Sequence, residues 1–206
     1  GGALYTNTTG SQNVAVGQNA LYLNTIGDLN TAVGQLAMYS NTTGRQNVAV
    51  GYTALNDNTI GKWNTAVGYS ALTNNTTAAH NTALGAYTLV SNTIGANNTA
   101  IGSNALYNNT TGNYNVAVGY QALKANVVGS SCVALGPYAL TAQNGNVSGN
   151  IAIGQASMYE NLTGTTNTAM GHDSLRLNTA GHRNVAIGFK ALRDNIASDN
   201  AAFGFL

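Results

Sequence analysis

Charge is what this chain has least of. Lys, Arg, Asp and Glu together make up 6% of its 206 residues, against about a quarter in an ordinary soluble protein. Solubility must then rest on Asn, Thr, Ser, Gln and Tyr. A formal charge of +1 with no basic run argues against nucleic acid or an anionic membrane as the main partner. The single cysteine, Cys132, excludes an intrachain disulfide and a cysteine-rich metal site, so packing and hydrogen bonds must hold the fold. No apolar run approaches the roughly 20 residues that span a bilayer, and no signal peptide is visible. One proline beside 25 glycines is not the composition of an ordinary domain. The chain opens "GGALYTN" and stops at "AAFGFL", both in mid-repeat. It reads as a segment of a longer polypeptide whose targeting and anchoring signals lie elsewhere.

What is present is a repeat. The glycine that closes "AVG" recurs at Gly17, Gly34, Gly51, Gly68, Gly85, Gly102, Gly119 and Gly136, 17 residues apart each time, then at Gly154, Gly171, Gly188 and Gly204. One residue is added within 141–150 and one is missing within 193–199. Both changes fall where a loop absorbs them, and residues 1–206 read as one repeat domain. The residue before each glycine is apolar in all twelve copies, and "AL" or a relative follows three to four residues later. Glycines, Asn-Thr clusters and β-branched residues favour short strands with tight corners over helix. A single coil cannot bury its own apolar residues, but a stack buries a continuous core. The expected fold is an all-β parallel β-solenoid of twelve coils, on the order of 55 to 60 Å long at about 4.8 Å per strand.

Alternation along a strand assigns inside and outside. In "NVAVG" the two valines are expected inward and Ala outward. The central residue is Ala in all twelve copies, which suggests close approach by another backbone. Ala15, Ala32, Ala49, Ala66, Ala83, Ala100 and Ala117 are thus the candidate subunit interface. Two Asn columns, one from Asn7 to Asn126 and one from Asn13 to Asn115, are expected to form amide ladders along the rod and to satisfy corner backbone groups. Bulk also exchanges between two further columns: Thr9 with Val14, Ile26 with Thr31, Thr43 with Val48, Ile60 with Thr65. This predicts that both face a shared interior of limited volume.

"NVAVGYQAL", "NTAVGYSAL" and "NVAIGFKAL" resemble the head repeats of YadA-like trimeric autotransporter adhesins and repeats of phage tail fibres. The resemblance covers all twelve copies and is strongest in the N-[TV]-A-[VIL]-G core. It implies a left-handed parallel β-roll, a parallel homotrimer, an extracellular place on a virion tail fibre or bacterial surface, and attachment to a host receptor or glycan. The sequons at Asn7, Asn41, Asn109 and Asn161 arise from the repeat itself, which favours a bacterial or viral source.

Candidate chemistry is sparse. His80, His172 and His182 occupy different columns, the six acidic residues share none, and no phosphate-binding glycine motif is present. We therefore expect no enzyme activity, no catalytic or metal site and no cofactor. Aromatic residues are the better candidates for ligand contact, because rings stack on sugar faces and protein surfaces. They are Tyr5, Tyr22, Tyr39, Tyr107 and Tyr159 after "AL" or its relatives, and Trp63 and Tyr114 before the second Asn. A rival reading is ice binding by the column Thr8, Thr25, Thr42, Thr59, Thr76, Thr93 and Thr110.

Overall fold

The structure, a computed structural model, describes residues 1–143 and 146–205. It contains twelve strands of three residues: β1 (Val14–Val16), β2 (Thr31–Val33), β3 (Val48–Val50), β4 (Thr65–Val67), β5 (Thr82–Leu84), β6 (Thr99–Ile101), β7 (Val116–Val118), β8 (Val133–Leu135), β9 (Ile151–Ile153), β10 (Thr168–Met170), β11 (Val185–Ile187) and β12 (Ala201–Phe203). They pair in parallel and in chain order within one sheet, and the register sets Ala15 beside Ala32 and Ala32 beside Ala49. The chain is an all-β parallel solenoid, as its repeat predicts. Of the residues added within 141–150, Asn144 and Gly145 lie outside the described residues.

Parallel strands need a crossover connection, and here left-handed residues make it. The closing glycines from Gly17 to Gly204 have φ between 116° and 139°, a region that a β-carbon resists. Four residues later the Leu or Met from Leu4 to Leu192 has φ between 48° and 55°. Such a conformation costs an L-residue roughly 1–2 kcal/mol. Cross-coil backbone bonds compensate: Leu21 N donates to Ala37 O at 3.0 Å, and Leu36 N to Gln18 O at 2.9 Å.

The strands face the opposite way from the sequence expectation. The central alanine points inward and is fully buried from Ala32 through Ala186. Ala15, in β1, packs against the same core. The flanking residues point outward, and Val67 is 37% exposed. Volume explains the inversion. Each interior layer already holds a Leu or Met, the Ala or small residue before it and two Asn side chains, nearly all without exposure. The space left beside the strand takes a methyl group, and overfilling costs about 1–3 kcal/mol. The alanine column is therefore enclosed by its own chain and is not a subunit interface. The two bulk-exchanging columns likewise face solvent and not a shared interior, since Ile26, Ile60 and Ile94 are more than half exposed and Val14 is 50% exposed.

The Asn ladders exist. Asn24 Nδ2 donates to Asn7 Oδ1 at 2.8 Å and to Gly27 O at 3.0 Å, and the pattern continues to Asn126. In the second ladder Asn30 N donates to Asn13 Oδ1 at 2.9 Å, while Asn13 Nδ2 donates to Gly27 O at 2.7 Å. Buried amides are thus paired on both sides, as a dry interior requires. Where Cys132 replaces Asn, the longer Gln143 bridges the gap. It donates to Asn126 Oδ1 at 3.1 Å and accepts from Asn150 Nδ2 at 3.2 Å. Burial pushes the Cys132 thiol up from its ordinary pKa, which keeps it a thiol rather than a nucleophilic thiolate.

Candidate binding surfaces

Because alanine takes the inner side of every strand, the first and last strand residues form the outer face. The first runs Val14, Thr31, Val48, Thr65, Thr82, Thr99 and on to Ala201; the last runs Val16, Val33, Val50, Val67, Leu84, Ile101 and on to Phe203. No charge and no amide interrupts either column. With strands about 4.8 Å apart, this stripe runs the length of the sheet. Aliphatic side chains fill nearly all of its second column and share the first with threonine.

The threonine column also lies outside, but its hydroxyls are committed. Thr25 Oγ1 donates to Thr42 O at 3.0 Å, Thr59 Oγ1 to Thr76 O at 3.1 Å and Thr93 Oγ1 to Thr110 O at 3.2 Å. The neighbouring outward position alternates Thr9 and Thr43 with Ile26 and Ile60. A uniform double row of free threonine hydroxyls is not what these two columns present.

The aromatic residues form one ridge. Within the five residues after each closing glycine stands one ring, at the first, second or fifth place. Tyr22, Tyr39, Tyr107 and Tyr159 are fifth, with Tyr5 in register; Tyr52, Tyr69, Tyr120, His172, Phe189 and Phe205 are first; Tyr87 and Tyr138 are second. Rings from successive coils meet in four runs of three, Tyr5–Tyr22–Tyr39, Tyr52–Tyr69–Tyr87, Tyr120–Tyr138–Tyr159 and His172–Phe189–Phe205, and Tyr107 stands between the second run and the third. Centroids are 5.1 Å apart for Tyr5 and Tyr22, 5.2 Å for Tyr22 and Tyr39, 5.1 Å for Tyr69 and Tyr87, and 5.0 Å for Phe189 and Phe205. Five of the expected ligand-contact residues, Tyr5, Tyr22, Tyr39, Tyr107 and Tyr159, belong to this ridge. Column reading missed the other members because the ring changes place; the signal is one ring per coil. Where rings lie nearly parallel, as in Tyr5–Tyr22–Tyr39, neighbouring coils cover much of the inner ring's faces and leave its edges to solvent.

Trp63 and Tyr114 stand apart from the ridge, beside the second Asn column. Trp63 stacks on His80 at 4.7 Å with Lys62 Nζ 4.4 Å from its ring centroid, and Tyr114 is 65% exposed. His182 Nδ1 accepts from Thr165 N at 3.1 Å. Among the described residues no group of three or more His, Cys, Asp or Glu is placed to hold a metal. Of the sequon asparagines, Asn41, Asn109 and Asn161 are fully buried.

Two clefts open along the ridge. One, of about 520 Å³, lies between Tyr138 and Tyr159 and reaches His172, Asp173 and Arg176. The other, of about 480 Å³, lies among Tyr87, Asn104, Tyr107 and Lys124. Compared with protein families, curated proteins and solved structures, the chain matches none. The reading of its role therefore rests on its own surfaces.

Proposed function

We propose that this chain is a structural and attachment module without enzymatic activity, the shaft or head of an extracellular fibre such as a phage tail fibre or bacterial surface adhesin. Copies associate as a parallel homotrimer, and the assembled rod presents its ridge to a host-surface glycan or protein. The observation that carries this reading is the outer strand face. Solvent imposes no rule against Lys, Glu, Asn or Ser on an exposed strand, yet none occurs in either column along twelve strands. Packing against a second copy supplies such a rule. In-register chains also present every ridge residue several times, and linked weak contacts raise apparent affinity by roughly 100 to 10,000-fold.

The test is the oligomeric state. Light scattering is expected to give a trimer for the wild type and a monomer for Val67→Lys with Ile101→Lys, with an unchanged circular dichroism spectrum because both side chains point outward. A monomeric wild type refutes the trimer; an intact trimer in the double variant removes the sheet face from the interface. Ice binding is the rival reading. Its support is the Thr column, whose committed hydroxyls fit it poorly, and thermal hysteresis with ice shaping would displace the attachment reading.

A further inference from the structure

The ridge is continuous in sequence but not in depth. At the second place after the closing glycine most coils carry a substantial side chain, among them Asn19, Leu36, Tyr87, Asn104, Tyr138 and Asp173. At Ala156 that side chain is reduced to a methyl group. The cleft of about 520 Å³ opens there, with Ala156 in its lining between Tyr138 and Asp173. Its volume is that of a small-molecule site.

The walls have two kinds of chemistry. The Tyr138 and Tyr159 rings are inclined by 64° with centroids 6.4 Å apart, so they do not close over one another as the parallel rings do. Beside them, Asp173 holds Oδ2 3.2 Å from His172 Nδ1 and Oδ1 3.1 Å from Arg176 Nε, with its side chain only 14% exposed, and the Arg176 guanidinium lies over the Tyr159 ring with Cζ 5.4 Å from its centroid. That Arg176 Nε is buried yet lacks an aligned hydrogen bond, despite its distance to the carboxylate. Gln155 adds an exposed amide. The other aspartate–arginine pairs, Arg183 with Asp199 and Arg193 with Asp194, have carboxylates more than 60% exposed. Asp173 is thus enclosed where the other two paired carboxylates face solvent.

We propose that this cleft binds one unit of a neutral saccharide. Because Arg176 already lies over Tyr159, the Tyr138 ring takes the apolar side of the sugar, while the fixed carboxylate and the Gln155 amide take its hydroxyls. Neutrality follows from the wall: its one carboxylate, Asp173, lies 3.1 Å from its one guanidinium, Arg176, so their formal charges cancel and leave no net positive charge to attract an anionic sugar. The inference rests on the attachment reading and specifies its ligand class and place.

Saturation-transfer NMR with the methyl glycosides of glucose, galactose, mannose and N-acetylglucosamine, alongside sialic acid and inorganic phosphate, tests it on the whole chain. At least one neutral glycoside is expected to bind. Ala156→Tyr, which restores a residue type that Tyr87 and Tyr138 show at this place, abolishes binding. Asp173→Asn weakens it about tenfold or more, and Tyr5→Ala, at the far end of the ridge, leaves it unchanged. Circular dichroism confirms that each variant is folded. Three outcomes overturn the proposal: no neutral glycoside binds, Ala156→Tyr still binds, or sialic acid or phosphate is preferred. The cleft lies within one chain, so a monomeric wild type would refute the trimer without touching this result, and a failed titration would leave the trimer test intact.

Discussion

The residue that most constrains this coil is the leucine of "AL". It is fully buried in nearly every coil and holds a left-handed backbone throughout. Side chains branched at Cβ are the least suited to that region. Hydrophobic volume alone would admit Ile or Val, yet the column holds Leu or Met in every copy. Thr53 does adopt this conformation, but on the half-exposed surface, where its hydroxyl pairs with Ser70 at 2.9 Å. Leu55→Met is accordingly expected to cost less than about 1.5 kcal/mol, whereas Leu55→Ile, equal in volume, costs about 1 to 3 kcal/mol more. Urea denaturation separates the two. Equal stability of the Met and Ile variants would mean that packing alone, and not backbone conformation, selects the residue.

At the scale of the element, the interior is an amide ladder as much as an apolar core. Asn75 Nδ2 donates to Asn58 Oδ1 at 2.9 Å and to Ala78 O at 3.2 Å, and its own Oδ1 accepts from Asn92 Nδ2 at 3.0 Å. Asn75→Ala strands an acceptor on Asn58 and a donor on Asn92, while Ala78 O keeps its bond from Asn64. Two unsatisfied buried groups cost about 2 to 6 kcal/mol. The adjacent Asn74 is exposed, and Asn74→Ala is expected to stay within about 0.5 kcal/mol. Thermal melts of the pair measure the ladder, and a similar small loss in both would sink it. The ladder and the strand positions were legible in the sequence, because a fixed period of 17 puts identical groups at one height in each coil. The facing of the strands was not. Hydrophobicity favours Val67 over Ala66 for the inside, but in a layer already holding Leu72 and the Asn64 and Asn75 amides, volume decides. The bulk exchange between Ile60 and Thr65 was a true pattern assigned to the wrong side. The ring ridge was half legible, through Tyr22 and Tyr39, and hidden where the ring moves to Tyr69 or Tyr87.

At the scale of the molecule, each coil touches only the coils before and after it: every strand from β2 to β11 pairs with its two sequence neighbours and no other. Stability in such a stack is close to a sum of coil and interface contributions. A whole coil is then removable and a part of one is not. Excising residues 52–68 joins Gly51 to Tyr69, brings β3 against β5 in unchanged register, and aligns Asn41 with Asn75 and Met38 with Leu72. Both ladders and the outer face stay continuous. Excising residues 52–60 instead joins Gly51 to Gly61, deletes the leucine and the first-ladder asparagine of that coil, and offers β4 to β3 with too little chain for the crossover. The first deletion is expected to fold with an unchanged circular dichroism signal per residue and to shorten the rod by about one strand spacing, 4.8 Å, by small-angle scattering. The second is expected to lose cooperative melting. The whole-coil deletion also preserves the face proposed to join copies, so its oligomeric state should equal the wild type's. Unfolding of the whole-coil deletion would show that these coils are not independent units, and the native changes of length within 141–150 and 193–199 would then need a different account from loops that absorb a residue.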